Sequence, residues 1–232
     1  MIGILDSGAG GLFALSVLRD KLPSADLCFF ADRDNAPYGN KQRCELSHLL
    51  RCGIRRLRDA GCEKILIACC TASSVFDTLS PSEQSGTVPI ILPTARAAAM
   101  KTQSKKIAVI STEATWRADA FAEEISRQDP RIAVRSFPTQ PLVSLVESGA
   151  VDGNITPESR RKIKEALSPL FGQEFDTLVL GCTHFSHIER EIASIFAGRV
   201  HMVSSAKEGA MELIRKTPKK DLCGNGTTIY LC

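Results

Sequence analysis

The sequence predicts an α/β fold of two pseudo-symmetric units, each built on a mostly parallel sheet, with a cleft between them. Three observations predict it. Short apolar runs alternate with segments of helical period along the chain, the pattern of βαβ units. That pattern restarts near Lys106. Strand-end motifs also recur at similar offsets. Ile4-Leu5-Asp6-Ser7 is echoed by Val109-Ile110-Ser111-Thr112, and the thiol of Cys69 by that of Cys182. The expected units are residues 1–93 with 205–232, and residues 94–204.

Ile2 to Leu5 reads as a buried strand, followed by the glycine-rich turn Asp6-Ser7-Gly8-Ala9-Gly10-Gly11. Leu12 to Leu22 is a helix, with Leu12, Leu15 and Leu18 on one face and Pro23 beyond its end. Leu27 to Ala31 is the second strand, and a polar loop carries Pro37-Tyr38-Gly39. Arg43 to Ala60 is helical with Gly61 as its C-terminal cap. Ile65 to Ala68 is a strand that stops at Cys69-Cys70-Thr71, and Val88 to Leu92 is a fourth. In the second unit Lys106 to Ile110, Ile132 to Arg135 and Leu178 to Leu180 are strands. Trp116 to Arg127, a long segment capped by Thr156-Pro157, Ile188 to Phe196, and Ala206 to Arg215 are helices. Thr227 to Leu231 is a last strand.

Composition narrows the function. The chain has 232 residues, 44% hydrophobic and 24% charged, the balance of a globular enzyme. A net charge of +3 with scattered lysines and arginines gives no nucleic-acid footprint. No apolar run reaches the ~20 residues that span a bilayer, and the first residues lack a basic start and a cleavage site. The expected location is the cytoplasm. The nine cysteines are odd in number and irregular in spacing. Cys28, Cys44, Cys52, Cys62, Cys223 and Cys232 read as buried small residues. The sequence does not decide the oligomeric state and is compatible with a homodimer.

Cys69, Cys70 and Cys182 stand apart because each lies where a strand ends, the ligand-binding edge of parallel α/β sheets. Two thiols on opposite walls of a cleft can remove a proton from one face of a carbon and return one to the other, inverting a stereocentre. Ser7, Thr71, Thr112, Thr115 and Thr183 also fall just past strand ends. With backbone N–H groups of the Gly8 to Gly11 turn, they can hold carboxylates. Asp6 and His184 are ionisable neighbours able to shift a thiol. Weaker readings are a dinucleotide turn at Gly8 to Phe13, a zinc site drawn from Cys69, Cys70, Cys182, His184 and His187, and a Cys182–His184 hydrolase pair. The first lacks its third glycine, the second lacks C-x-x-C spacing, and the third leaves Cys69-Cys70 without a role. His48, His187 and His201 read as surface or helix residues, with His187 the nearest to the site.

Several segments in this order resemble the cofactor-independent aspartate/glutamate racemases, and glutamate racemase most. They are Asp6 to Leu12, Pro37-Tyr38-Gly39-Asn40-Lys41, Ala68-Cys69-Cys70-Thr71-Ala72-Ser73, Thr112-Glu113-Ala114-Thr115, Leu142 to Gly149, and Gly181-Cys182-Thr183-His184-Phe185. The resemblance implies two three-layer domains with the active site between them, no cofactor and no metal. It implies glutamate as substrate, with aspartate, or ligand binding without turnover, as the alternatives. It makes Cys69 and Cys182 the acid/base thiols, assisted by Asp6, Glu147 and His184. Ser7, Pro37, Tyr38, Gly39, Cys70, Thr71, Thr112, Thr115 and Thr183 would bind substrate, and the product would feed peptidoglycan synthesis. The chain departs from the family at five points. Cys70 replaces an asparagine, Ser111 a glycine and Phe121 a tyrosine, the strand near Ile90 to Pro93 is shortened, and the sequence ends at Cys232, where the family often adds a helix. Aligning Cys-Thr with Cys182-Thr183 picks Cys70 as the first thiol, whereas the family motif picks Cys69.

Overall fold

The computed structural model describes residues 1–231. The strands are β1 (Ile2–Asp6), β2 (Leu27–Ala31), β3 (Lys64–Ile67), β4 (Thr87–Pro89), β5 (Lys106–Ser111), β6 (Ala133–Pro138), β7 (Thr177–Gly181), β8 (His201–Ser204) and β9 (Thr228–Leu231). They form two sheets of parallel pairs, ordered β4-β3-β1-β2-β9 and β6-β5-β7-β8. Taken from its other edge, the second sheet runs β8-β7-β5-β6, the same order as β4-β3-β1-β2. The duplication expected from the strand-end motifs is therefore present in the topology, and β9 is added beside β2.

The helices are α1 (Gly11–Lys21), α2 (Arg43–Asp59), α3 (Cys70–Ser73), α4 (Pro81–Gln84), α5 (Ile91–Lys101), α6 (Glu113–Arg117), α7 (Ala120–Gln128), α8 (Pro141–Glu147), α9 (Pro157–Ala166), α10 (Glu189–Ile195) and α11 (Ser205–Lys216). Alternate strand residues face opposite sides of a sheet. Ile2 and Ile4 of β1 thus join a central core with Leu27 and Phe29 of β2, while Leu5 joins an outer core under α2. The second sheet divides in the same way. Ile107, Val109, Val179 and Val203 enter the central core, and Ala108, Ile110, Leu178 and Leu180 face α8, α9 and α10. Helices α1, α5, α7 and α11 fill the central layer, so both sheets pack on the same helices.

Several local expectations are corrected. Val88 to Leu92 is not one strand, because α5 starts at Ile91. Pro93 lies in the first turn, where its missing N–H has no intrahelical partner to lose, and alanines follow. The helix expected over 116–127 is broken between α6 and α7 by Asp119, whose φ of 49° only a short polar residue or glycine adopts readily. The run His201-Met202-Val203-Ser204 gave no strand signal, yet pairs with β7 as β8. Its two polar ends break the apolar run that marks a buried strand. Cys28 and Cys62 are buried as expected, but Cys44, Cys52 and Cys223 are exposed. Cys44 and Cys52 lie on the outer face of α2, where periodicity puts polar residues. Cys232 lies outside the described residues.

Asp176, just before β7, fixes the link between α5 and β5. Its carboxylate accepts from the Thr102 hydroxyl at 2.7 Å, the Gln103 and Ser104 N–H groups at 2.7 and 2.6 Å, and the Thr177 hydroxyl at 2.9 Å. Burial pushes its pKa up, but these donors outweigh burial and hold it well below the usual carboxylate range. Because the folded value is depressed, the stabilisation is present above the unfolded value of ~3.9 and is lost as pH falls through the folded one. Asp176→Asn should cost about 2 kcal/mol at pH 7 in urea unfolding. The deficit should shrink below about pH 4.

Candidate active site

The site lies at the C-terminal ends of the strands of both sheets, the edge where loops are free to carry chemistry. Leu5 of β1 pairs with Ile67 of β3, so the register carried two places on sets Ser7 beside Cys69. Ser111 of β5 pairs with Gly181 of β7, so one place on sets Thr112 beside Cys182. Cys69 and Cys182 are each the extended residue at the start of a short helical segment, α3 and the 3₁₀ run Thr183–Ile188. Topology therefore equates Cys182 with Cys69 and not with Cys70. Aligning the Cys-Thr pairs misleads because the chain takes one more residue to leave β3 than to leave β7.

Both thiols are buried, each 6% exposed. Ser7 Oγ lies 3.5 Å from Cys69 Sγ. Burial, then the nearby Asp6 charge, pushes Cys69 up to about 11, against the pull of Ser7 and the Ala72 and Thr71 N–H groups. Burial also carries Cys182 well above the ordinary thiol value, reinforced by Cys70 and Cys69 and opposed by the His184 N–H. His184 Nδ1 stands 3.7 Å from Cys182 Sγ, and its Nε2 is 3.1 Å from Glu147 Oε1. A carboxylate only accepts, so Nε2 carries a hydrogen, and in the neutral imidazole Nδ1 accepts from the thiol.

Asp6 is fully buried. It accepts from the Gly8 N–H at 2.9 Å and from the Thr183 hydroxyl at 3.1 Å, which ties the two halves together. Burial raises its pKa against the opposing pulls of His184, the Gly8 N–H and Thr183. Close approach at this junction needs glycine. A Cβ on Gly10 would sit 2.4 Å from Thr183 Oγ1 and 2.9 Å from the His184 backbone nitrogen. A second tie is a triangle of hydroxyls. Thr71 from the first half lies 2.9 Å from Thr112 and 3.3 Å from Thr115, which are 3.0 Å apart. Thr112 also caps α6, so its capping and site roles coincide.

Together these residues close a cavity of about 20 Å³, room for about one water molecule. Of the residues singled out from sequence, Cys69, Cys70, Cys182, Ser7, Pro37, Tyr38, Gly39, Thr71, Thr112, Thr183, His184 and Glu147 line it. Asp6 and Thr115 lie behind the wall, acting through Thr183 and Thr112. Cys70 spends its thiol on Ser205 Oγ at 3.3 Å, at the start of α11. Tyr38 donates to Asp32 Oδ2 at 2.5 Å, and burial followed by that carboxylate drives its pKa upward. His187 is outside the cavity, its ring edge-on to Phe13. Sequence reading missed Ala36, Gln140, Val143 and Ser205. Gln140 follows β6 as the Asp32 to Tyr38 loop follows its counterpart β2, so the repeat itself could have pointed to it. Ser205 was hidden because β8 was.

Two thiols in one cavity, one from each sheet, with hydroxyls and no lysine or arginine in its lining among the described residues, suit proton transfer at carbon. Residues 32–213 match the family model described as Asp/Glu/Hydantoin racemase. The chain belongs to that family. It is an amino-acid racemase. This racemase is 37% identical over 191 residues to glutamate racemase of Lactobacillus acidophilus, covering 82% of this chain and 70% of the relative. It is 35% identical over 228 residues to that of Limosilactobacillus reuteri, covering 97% and 83%. The crystal structure of a Bacillus anthracis glutamate racemase superposes with a TM-score of 0.90 at 30% identity, covering 99% of this chain and 86% of that one. One from Francisella tularensis in complex with D-glutamate gives 0.88 at 28%, with the same coverage. No helix among the described residues is long and apolar enough to cross a membrane.

Asp6 makes a stability prediction for the racemase. Its folded pKa is raised, so the unfolded chain loses this proton first and the native state loses stability as pH rises above the ordinary aspartate value. Asp6→Asn removes that cost. Urea unfolding from pH 4 upward should show the variant gaining on the wild type as pH rises.

Proposed function

We propose that this racemase interconverts L- and D-glutamate, one of Cys69 and Cys182 removing the α-proton and the other supplying a proton to the opposite face. The observation that carries the reading is the pair of buried thiols at equivalent strand ends, one from each sheet, lining one small cavity. One thiolate takes the α-proton while the facing thiol gives its own to the opposite face, and the roles exchange with direction. By the resemblance, Cys69 acts on the D-enantiomer and Cys182 on the L-enantiomer. His184, held by Glu147, accepts the proton of Cys182 as that thiol ionises. By the resemblance, Asp6 assists on the Cys69 side; from behind the wall its charge bears on that thiol and favours its neutral form.

The α-proton is a weak acid, so negative charge spreading into the carboxylate must be met by preorganised donors. Ser7, Thr71, Thr112 and Thr183, with backbone N–H groups at the starts of α3 and α6, supply them without a fixed cation. Thr115 supports Thr112, while Pro37, Tyr38, Gly39 and Cys70 shape the wall. An amino acid exceeds this cavity, so side chains and loops at the strand ends move to admit it and settle back to exclude water. The mechanism uses no cofactor. It requires reduced thiols, which suits the cytoplasm, and D-glutamate made there would supply peptidoglycan synthesis.

Incubation of the protein with L-glutamate in heavy water should give D-glutamate carrying deuterium at the α-carbon. Well-folded protein that exchanges neither enantiomer would falsify the proposal. Cys69→Ser and Cys182→Ser should each lower kcat by about 10³-fold or more, since the hydroxyl is far less acidic than the thiol. With Cys69 pushed up to about 11, only a small fraction is thiolate near neutrality. The kcat/KM should then climb close to tenfold per pH unit from pH 7 to 9. A profile flat over that range would contradict a thiolate base.

A further inference from the structure

We propose that Gln140 binds the side-chain carboxylate of the substrate and helps select which acidic amino acid is accepted. The inference rests on the reading that the cavity between Cys69 and Cys182 takes glutamate. Gln140 sits between β6 and α8 and lines the cavity from the second half. A Cβ placed on Gly39 would lie 2.4 Å from Gln140 Oε1 and 3.0 Å from Nε2. The carboxamide therefore lies against the Gly39 main chain of the first half, where a side chain at Gly39 would push it aside. Its Oε1 accepts from the Glu113 N–H at 3.4 Å, a long contact, while Nε2 has no protein partner among the described residues.

That free N–H₂ is the lone side-chain amide in a wall without lysine or arginine. The other polar groups there have protein partners at rest, which the α-carboxylate must share. Thr71 and Thr112 hold each other, Thr183 holds Asp6, His184 holds Glu147, and Cys70 holds Ser205. Position within the cavity decides which carboxylate Gln140 meets. The α-carbon must lie between two thiols that are each 6% exposed, more deeply buried than Gln140. The α-carboxylate is one bond from that carbon and stays there. The side-chain carboxylate is the group able to reach the half-buried Gln140 at the rim. Donor and charge then match, because an amide N–H₂ meeting a carboxylate makes a charge-assisted hydrogen bond.

Gln140→Leu keeps the volume and removes the donor, whereas Gln140→Glu keeps the shape and opposes charge with charge. Racemisation of L-glutamate and L-aspartate, followed by circular dichroism, gives kcat and KM for each variant, and thermal melts establish folding. The KM for glutamate should rise about tenfold in the leucine variant and about a hundredfold in the glutamate variant, with kcat within about threefold of wild type. The ratio of kcat/KM for glutamate over aspartate should fall in both. A packing role alone would lower the melting temperature or kcat and leave KM unmoved. A KM within twofold of wild type in both folded variants overturns the inference. Wild-type protein inert towards glutamate instead overturns the reading beneath it.

Discussion

Both sheets press their inner faces onto the same four helices, and every distance in the site depends on that shared layer. Ile4 and Phe29 of one sheet and Val109 and Val179 of the other belong to a single buried cluster with α1, α5, α7 and α11 between them. Close packing makes such a layer stiff. The strand ends above it are therefore held at fixed separation, and side chains from one half meet those of the other without a long loop. The Thr183–Asp6 hydrogen bond and the threonine triangle are the polar counterpart of that packing. Gly10 is the point where the approach is tightest.

The electrostatic character of the site follows from its closure. Burial penalises every charge, and it is the largest influence on Asp6, Cys69 and Cys182 alike. The resting site is thus biased towards neutral thiols, with hydroxyls and main-chain N–H groups in place of cations. Such a wall suits charge that develops only during reaction, because the dipoles are already oriented when it appears. Glu147 has a related role at a distance. It fixes the imidazole of His184 so that the nitrogen facing Cys182 is the accepting one.

The cysteine doublet divides its work by direction. Cys69 extends from the strand end into the cavity beside Ser7, whereas Cys70, one residue on, points its thiol to Ser205 at the start of α11. A residue of the first sheet's edge is thereby anchored to the helix that leaves the second sheet. The amide function of the wall falls to Gln140, which crosses from the second half to Gly39 in the first.

Much of this was legible in the chain. Runs such as Leu27 to Ala31 and Leu178 to Leu180 are apolar on both faces because both faces are covered, so they announce buried parallel strands. The hydroxyl and thiol residues after them mark the functional edge, and most of the named site residues line one cavity. Elements whose identity depends on neighbours were not legible. The run His201 to Ser204 is a strand only because β7 offers it a partner, and Ile91 is helical only because the chain must turn away after β4. The same holds for the thiols. Local Cys-Thr spacing picked Cys70, while the family motif picked Cys69. In the structure both line the cavity and differ in partner, Cys69 lying beside Ser7 and Cys70 turning its thiol to Ser205. The sequence by itself determined the strands, their repeat and the chemical types at their ends. The tertiary structure decided which of those groups share a wall, since that depends on how two sheets settle on one layer of helices.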